Sequence, residues 1–205
     1  MADPRATRQR RSNGEESRRK ILDAAVEVAG ERGYDGTSIN AVSARSGLPA
    51  SSIYWHFKDK DELIAAVIER SFNTWQAAAA LPEDMSASQE SVRELAVNVA
   101  KGLLDAPDFL RLGLMLALER RPEEPSARTM FLEVRQTAHR RFAALVREYA
   151  PHLDEDAVEL LTTYAMAAAD GLFIAKEIGG DSVDLIRLFE LHARALFDAA
   201  EHLAH

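Results

Sequence analysis

The chain of 205 residues contains no cysteine. That excludes a disulfide scaffold, a thiolate metal site and a cysteine nucleophile, and it fits a reducing compartment. No apolar run approaches the roughly 20 residues that span a bilayer. The Arg-rich N-terminus lacks the apolar stretch of a signal peptide. The expectation is a cytoplasmic protein with no membrane partner. Strand-like alternation and internal repeats are also missing. There is no His-Glu-x-x-His, no phosphate-cradling glycine loop and no nucleophile elbow. The six histidines, at 56, 139, 152, 192, 202 and 205, are scattered. No catalytic site, cofactor or metal is therefore expected.

Positive charge is scarce overall, with a net charge of −8, but it is unevenly placed. Residues 1–60 hold 11 Lys/Arg against 8 Asp/Glu, and the remainder holds 14 against 25. A weakly basic head on an acidic body permits local phosphate binding and discourages wrapping of nucleic acid around the whole molecule. Apolar residues make up 47% of the chain, enough for a core.

What is present is helical periodicity, and the fold class expected is all-α. Residues 1–14, with Arg5, Arg8, Arg10 and Arg11, read as a disordered basic arm, either a solvated tail or a phosphate or minor-groove contact. Asn13 and Glu16 have the spacing of a loose capping box. From about Glu15, Ile21, Ala25, Val28 and Ala29 form one apolar stripe, with Gly33 as the stop. Asp35-Gly36 makes a turn, and Thr37 or Ser38 caps a short second helix ending near Ser46. Gly47 breaks it, and Pro49 suits the first turn of a third helix over about 50–57. A long fourth helix over about 60–80, with Asp59 as its cap, carries the stripe Leu63, Val67, Arg70 and Trp75. Leu81-Pro82 and the polar stretch to Ser88 read as a hinge region. Further helices are expected at about 88–105, 107–120, 125–150, 154–178 and 182–203, punctuated by Pro107, Pro122, Pro125, Pro151 and Gly179-Gly180.

The segment 37–57 has helix-turn-helix logic. Ser43 is small where two short helices cross steeply, and Gly47 allows the sharp turn. Val42, Leu48, Ile53 and Phe57 are spaced to bury against the first helix. The third helix is left with an outer face of Ala50, Ser51, Ser52, Tyr54, Trp55 and His56, slim enough at its start to enter a major groove. Tyr54 and Lys60 suit phosphate oxygens. Spacing alone also admits a plain structural hairpin.

Extended through Lys58-Asp-Lys60-Asp-Glu-Leu63, this segment resembles the DNA-binding domain of the tetracycline-repressor (TetR) family, over roughly residues 15–70. The matching residues are Thr37, Gly47, Ile53, Tyr54, His56, Phe57, Lys60 and Leu63. Pro49, Ser51, Ser43, Ser46 and Leu48 depart from the family pattern. Pro49 and Ser51 lie where the helix would meet DNA, which bears on the operator sequence. The resemblance implies DNA contacts at Ser38, Asn40, Ala50, Ser51, Ser52, Tyr54, Trp55 and His56, with Lys60 holding a phosphate. It also implies a helix-turn-helix domain over 15–62, a linking helix over about 60–80, and a ligand-binding and dimerisation bundle over 63–205.

The C-terminal body carries less specific signals. Residues 109–118 are apolar on nearly all sides, which requires burial all round or a cavity wall. Candidates for an apolar pocket are Phe72, Trp75, Phe109, Leu112, Met115, Leu116, Phe131, Val134, Phe142, Tyr164 and Phe173, any of which serves equally as ordinary core. Asp170 interrupts an apolar run and meets either a ligand or a partner within the protein. Small residues in the last two helices (Ala165, Ala167, Ala168, Ala169, Gly171) permit close approach of a second copy. The expected function is a homodimeric regulator, a repressor released from a palindromic double-stranded operator by a small hydrophobic or amphipathic effector. The alternatives are an activator or ligand-independent regulator of the same fold, or a helical enzyme or carrier with a vestigial DNA-binding domain.

Overall fold

The computed structural model describes residues 4–79, 88–119 and 124–203. The hinge expected over 81–87 lies outside the described residues, as do residues 1–3 at the start of the basic arm. All regular elements described are helices: α1 (Pro4–Gly36), α2 (Ile39–Ser46), α3 (Ala50–His56), α4 (Lys60–Ala78), α5 (Gln89–Asp105), α6 (Asp108–Leu118), α7 (Ser126–Tyr149), α8 (Glu155–Gly179) and α9 (Leu185–His202), with a 3₁₀ turn at Gly180–Ser182. The all-α expectation holds.

Most boundaries follow the punctuation read from the sequence, with three instructive differences. The α1 backbone is helical from Pro4, not from about Glu15, so Asn13 and Glu16 do not form an N-terminal capping box. Arg, Gln and Ala in this stretch are good helix formers, and proline suits a first turn. Gly33 does interrupt helical geometry, at φ 68° and ψ −176°, but the chain turns helical again to Gly36. A side chain at Gly33 meets strain from the positive φ and crowds the Met115 methyl, 3.1 Å from its Cβ. Pro49 is the cap residue of α3, in extended conformation, rather than its first helical residue.

The chain forms two compact units. The first contains residues 1–71 and 108–131, the second 72–107 and 132–205, so α4 and α7 each pass from one to the other. Packing places α6 and the start of α7 with the N-terminal helices.

In the first unit, Ile21, Leu22, Ala25 and Val28 of α1 are buried together with Val42, Ile53, Leu63, Ile64, Val67 and Ile68. Helix α6 is buried on one face and open on the other. Phe109, Leu112 and Leu116 are enclosed, but Met115 is 46% and Leu118 81% exposed, so the expectation of burial all round does not hold. Asp61, in the first turn of α4, ties three elements together. Its carboxylate accepts from the Tyr34 hydroxyl at 2.9 Å, the Ser126 hydroxyl at 2.6 Å, and the backbone N–H groups of Ser126 and Ala127, which open α7. It thus caps a helix from outside that helix.

Burial works against the charged form of Asp61, but the hydrogen bonds from Ser126, Ala127 and Tyr34 outweigh it, and its pKa is lowered. A depressed folded pKa means stability that is present above the unfolded carboxyl value of about 3.9 and lost as pH falls through the folded one. Asp61→Asn is therefore expected to cost about 1–2 kcal/mol at pH 7 by loss of charge-assisted bonds. Urea denaturation at stepped pH should show that difference shrinking below about pH 4.

The second unit centres on Ala143, Val146, Val158, Leu161, Ala165 and Leu196, from α7, α8 and α9, with Phe142, Leu153, Ala199 and Ala200 against them. Helix α8 also leaves an apolar stripe uncovered. Leu160, Tyr164, Ala167, Gly171, Ile174 and Ile178 follow one another at alternating steps of four and three, and all are exposed. Leu191 of α9 is exposed as well.

Candidate nucleic-acid interface

The turn between α2 and α3 is built by hydroxyls. Ser38 caps α2, accepting from the Ala41 N–H. Gly47 sits in the left-handed region at φ 70° and donates its N–H to the Ser43 carbonyl, closing α2. The Ser43 hydroxyl donates to the Leu48 carbonyl at 2.7 Å, and the Leu48 N–H donates to the Ser46 hydroxyl at 3.3 Å. These two serines satisfy the backbone of the turn itself. Their hydroxyls are visible in the sequence only as departures from the resembled pattern.

Helix α3 is anchored by Ile53, fully buried, and by Phe57 at its end. The opposite face is open: Ser51 is exposed, Tyr54 is 57% and Trp55 75% exposed. Ala50, Ser52 and His56 are half-buried. Ser38 and Asn40, at the start of α2, are exposed. Trp55 is no core aromatic; its ring stands edge-on to His56 at 4.5 Å.

Two predicted contact residues already have partners. His56 Nε2 lies 2.7 Å from the Ser17 hydroxyl, which itself donates to the Gly14 carbonyl at 2.9 Å. A hydroxyl has one proton, so here Nε2 carries the hydrogen and Nδ1 remains to accept. Burial, together with the nearby Arg18 charge, holds the His56 pKa below its usual value, which favours this neutral form. Lys60 donates to the Tyr34 carbonyl at 3.1 Å and lies 4.3 Å from the centre of the Tyr34 ring. It locks the end of α1 to α4, although an ammonium has three donors and two remain. Arg18, which spacing did not single out, stacks over the Phe57 ring at 5.4 Å and brings a cation beside the end of α3. By contrast Arg45 of α2 is held by Glu27 and Glu31 of α1, and so braces the domain.

The twelve pocket candidates divide between the units. Phe109, Leu112, Met115, Leu116 and Phe131 fall in the first, and Phe72, Trp75, Val134, Phe142, Tyr164, Asp170 and Phe173 in the second. Within the second unit Tyr164 is half exposed, on the open stripe of α8. Asp170 is taken by Arg135 through two hydrogen bonds at 2.9 and 2.7 Å, so its partner lies within the protein. Burial raises the Asp170 pKa despite that opposing charge. Phe142 lines a cavity with residues that were not among the candidates.

The helix-turn-helix segment matches the family model described as bacterial regulatory proteins, tetR family, over residues 21–67. The chain is 34% identical over 64 residues to the HTH-type transcriptional regulator AcrR of Shigella flexneri, a match covering 31% of this chain and 30% of AcrR. A longer match, 29% identical over 182 residues, runs to an HTH-type transcriptional repressor of Mycobacterium tuberculosis and covers 85% of this chain and 89% of that one. Among solved structures, the fatty acid degradation regulator FadR of Bacillus halodurans superposes with a TM-score of 0.72 at 18% identity, covering 87% of this chain and 93% of that one, a likeness of fold. The slim, exposed α3 and these matches agree: the helix-turn-helix segment over residues 21–67 is that of the tetR family of bacterial regulatory proteins.

Proposed function

We propose that this protein is a homodimeric transcription repressor that binds a palindromic operator through α3. The observation that carries the reading is the open face of α3: Ser51, Tyr54 and Trp55 point outward while Ile53 is fully buried behind them. A short helix with small residues at its start and an aromatic hydroxyl further on fits a major groove. Ser38 and Asn40 at the start of α2, and Lys60 with its two spare donors, are placed by the same reading on flanking phosphates. A DNA partner puts the protein in the cytoplasm.

One short helix offers little affinity. Two of them about 34–36 Å apart read successive major grooves, so a dimer is needed. The exposed stripe of α8 supports that dimer. Its 4-3 spacing is the seam of helices packed at about 20°, and its small residues, Ala167 and Gly171, permit close approach. The second unit then receives a small effector whose binding lowers operator affinity. Full switching between bound and free populations requires about 5.5 kcal/mol of preference for one state.

The test uses DNA fragments from beside the protein's own gene, with fluorescence anisotropy over a salt series. Binding should weaken steeply with salt as phosphate contacts release counterions. Tyr54→Ala should weaken it about tenfold, the worth of one hydrogen bond to a charged group, without changing thermal stability. Tyr54 is the cleaner site for this purpose than Lys60, whose removal also frees the Tyr34 carbonyl. Salt-independent binding, or unchanged affinity in Tyr54→Ala, contradicts the assignment.

A further inference from the structure

The second unit contains a cavity of about 160 Å³ between α5, α7, α8 and α9. That is close to the roughly 150 Å³ shown elsewhere to hold a benzene ring. Its walls are almost wholly apolar, from Val92 and Leu95 of α5 to Leu161 of α8 and Leu196 of α9. Three aromatic rings face it: Phe142 and Tyr149 of α7 and Phe197 of α9. Room exists because Ala150 and Ala200, also in the wall, leave unfilled volume where larger side chains pack elsewhere.

Besides Tyr149, the ionisable residues of the lining are Glu201 and His152. Glu201 stands in the wall, exposed to solvent and without an ion pair among the described residues. Helices α7 and α9 both end here, at Tyr149 and His202, and helix C-termini carry partial negative charge. His152 donates Nε2–H to the Ala200 carbonyl at 3.3 Å, which closes the α7–α8 loop onto α9 and uses that donor. Arg147, next to Val146 of the wall, is held by Glu155 through two hydrogen bonds. Among the described residues no Lys or Arg lines the cavity, and a carboxylate beside three aromatic faces suits an ammonium group.

We propose that this cavity is a binding site for a small hydrophobic cation: a protonated or quaternary amine carrying an apolar group of about phenyl size, with its charge at Glu201 and its body among Phe142, Tyr149 and Phe197. The inference rests on the reading of the second unit as the effector-binding unit and names the class of effector. The apolar group fills the cavity, and the ammonium meets the rings and the carboxylate at the mouth.

The experiment is ligand-observed NMR with calorimetry on the full chain in the absence of DNA. The probe is benzyltrimethylammonium, compared with its neutral isostere neopentylbenzene and with anionic phenylacetate. The cation should bind saturably, one per chain, at least tenfold more tightly than phenylacetate. Glu201→Gln, at an exposed position, should weaken the cation three- to tenfold and leave neopentylbenzene unchanged. Ala200→Leu, which fills the cavity, should weaken both while the chain still melts cooperatively. Equal affinity for cation and anion, or cation binding indifferent to both substitutions, overturns the proposal. Because no DNA is present, failure here alongside intact operator binding removes this site and leaves the regulator reading standing.

Discussion

Gly171→Glu is expected to turn the protein into a monomer and to cut operator affinity by a factor on the order of 10² to 10⁴, the range lost when a bivalent contact becomes monovalent. The reason lies in the open space around Gly171. Among the described residues, and apart from its two chain neighbours and its own helix backbone, no heavy atom comes within 4 Å of a Cβ placed there, and the residue is exposed midway along α8. Within one chain the substitution is harmless, and replacing a helical glycine gains about 0.5–1 kcal/mol of helix propensity. Any loss must therefore come through a second copy. In the proposed dimer, Gly171 lies in the middle of the stripe running from Leu160 to Ile178, where Ile178 is 83% exposed in the single chain. A carboxylate there is buried without a partner against an apolar seam, and so is its twin across the two-fold axis. Light scattering with size exclusion reads the oligomeric state, and anisotropy reads the operator affinity. A folded dimer with full affinity refutes the placement of the interface.

A second large effect is expected at Gly113, this time on stability. A Cβ added there runs into three ring carbons of Phe131. Phe131 is 3% exposed, so the ring has nowhere to go without opening the first unit. Overpacking of this kind costs about 3 kcal/mol. For a chain of this size that lowers the melting temperature by roughly 6–12 °C. Phe131→Leu in the same chain should recover part of the loss, since the two sites share the same space. An unchanged melting temperature in Gly113→Ala contradicts the close approach of α6 and α7.

Helix positions were legible because proline, glycine and the 3.6 period are local signals. The breaks at Gly33, Gly47 and Pro49 follow from them, as do the buried Val42, Ile53 and Phe57 and the outward face of α3. What escaped the sequence is long-range. Asp61 reads as an acidic residue in a helix first turn, and nothing local says that it caps α7 some 65 residues away. Residues 108–131 pack with the N-terminal helices although the chain between them belongs to the other unit. Large side chains are what a sequence offers as pocket candidates, whereas a cavity arises where small ones such as Ala150 and Ala200 leave space, and missing volume has no motif. His56 and Lys60 match the resembled pattern, but their bonds to Ser17 and Tyr34 add a positioning duty that spacing cannot express.

The central claim, that the outer face of α3 enters DNA, is tested most directly at Trp55. The chain has two tryptophans, and Trp55 is the one on that face. With 5-fluorotryptophan incorporated, ¹⁹F NMR gives one signal for each. Titration with an operator fragment should move or broaden the Trp55 signal in step with binding, saturating at two chains per palindrome. A Trp55 signal that stays at its free position while the DNA is demonstrably bound contradicts the account.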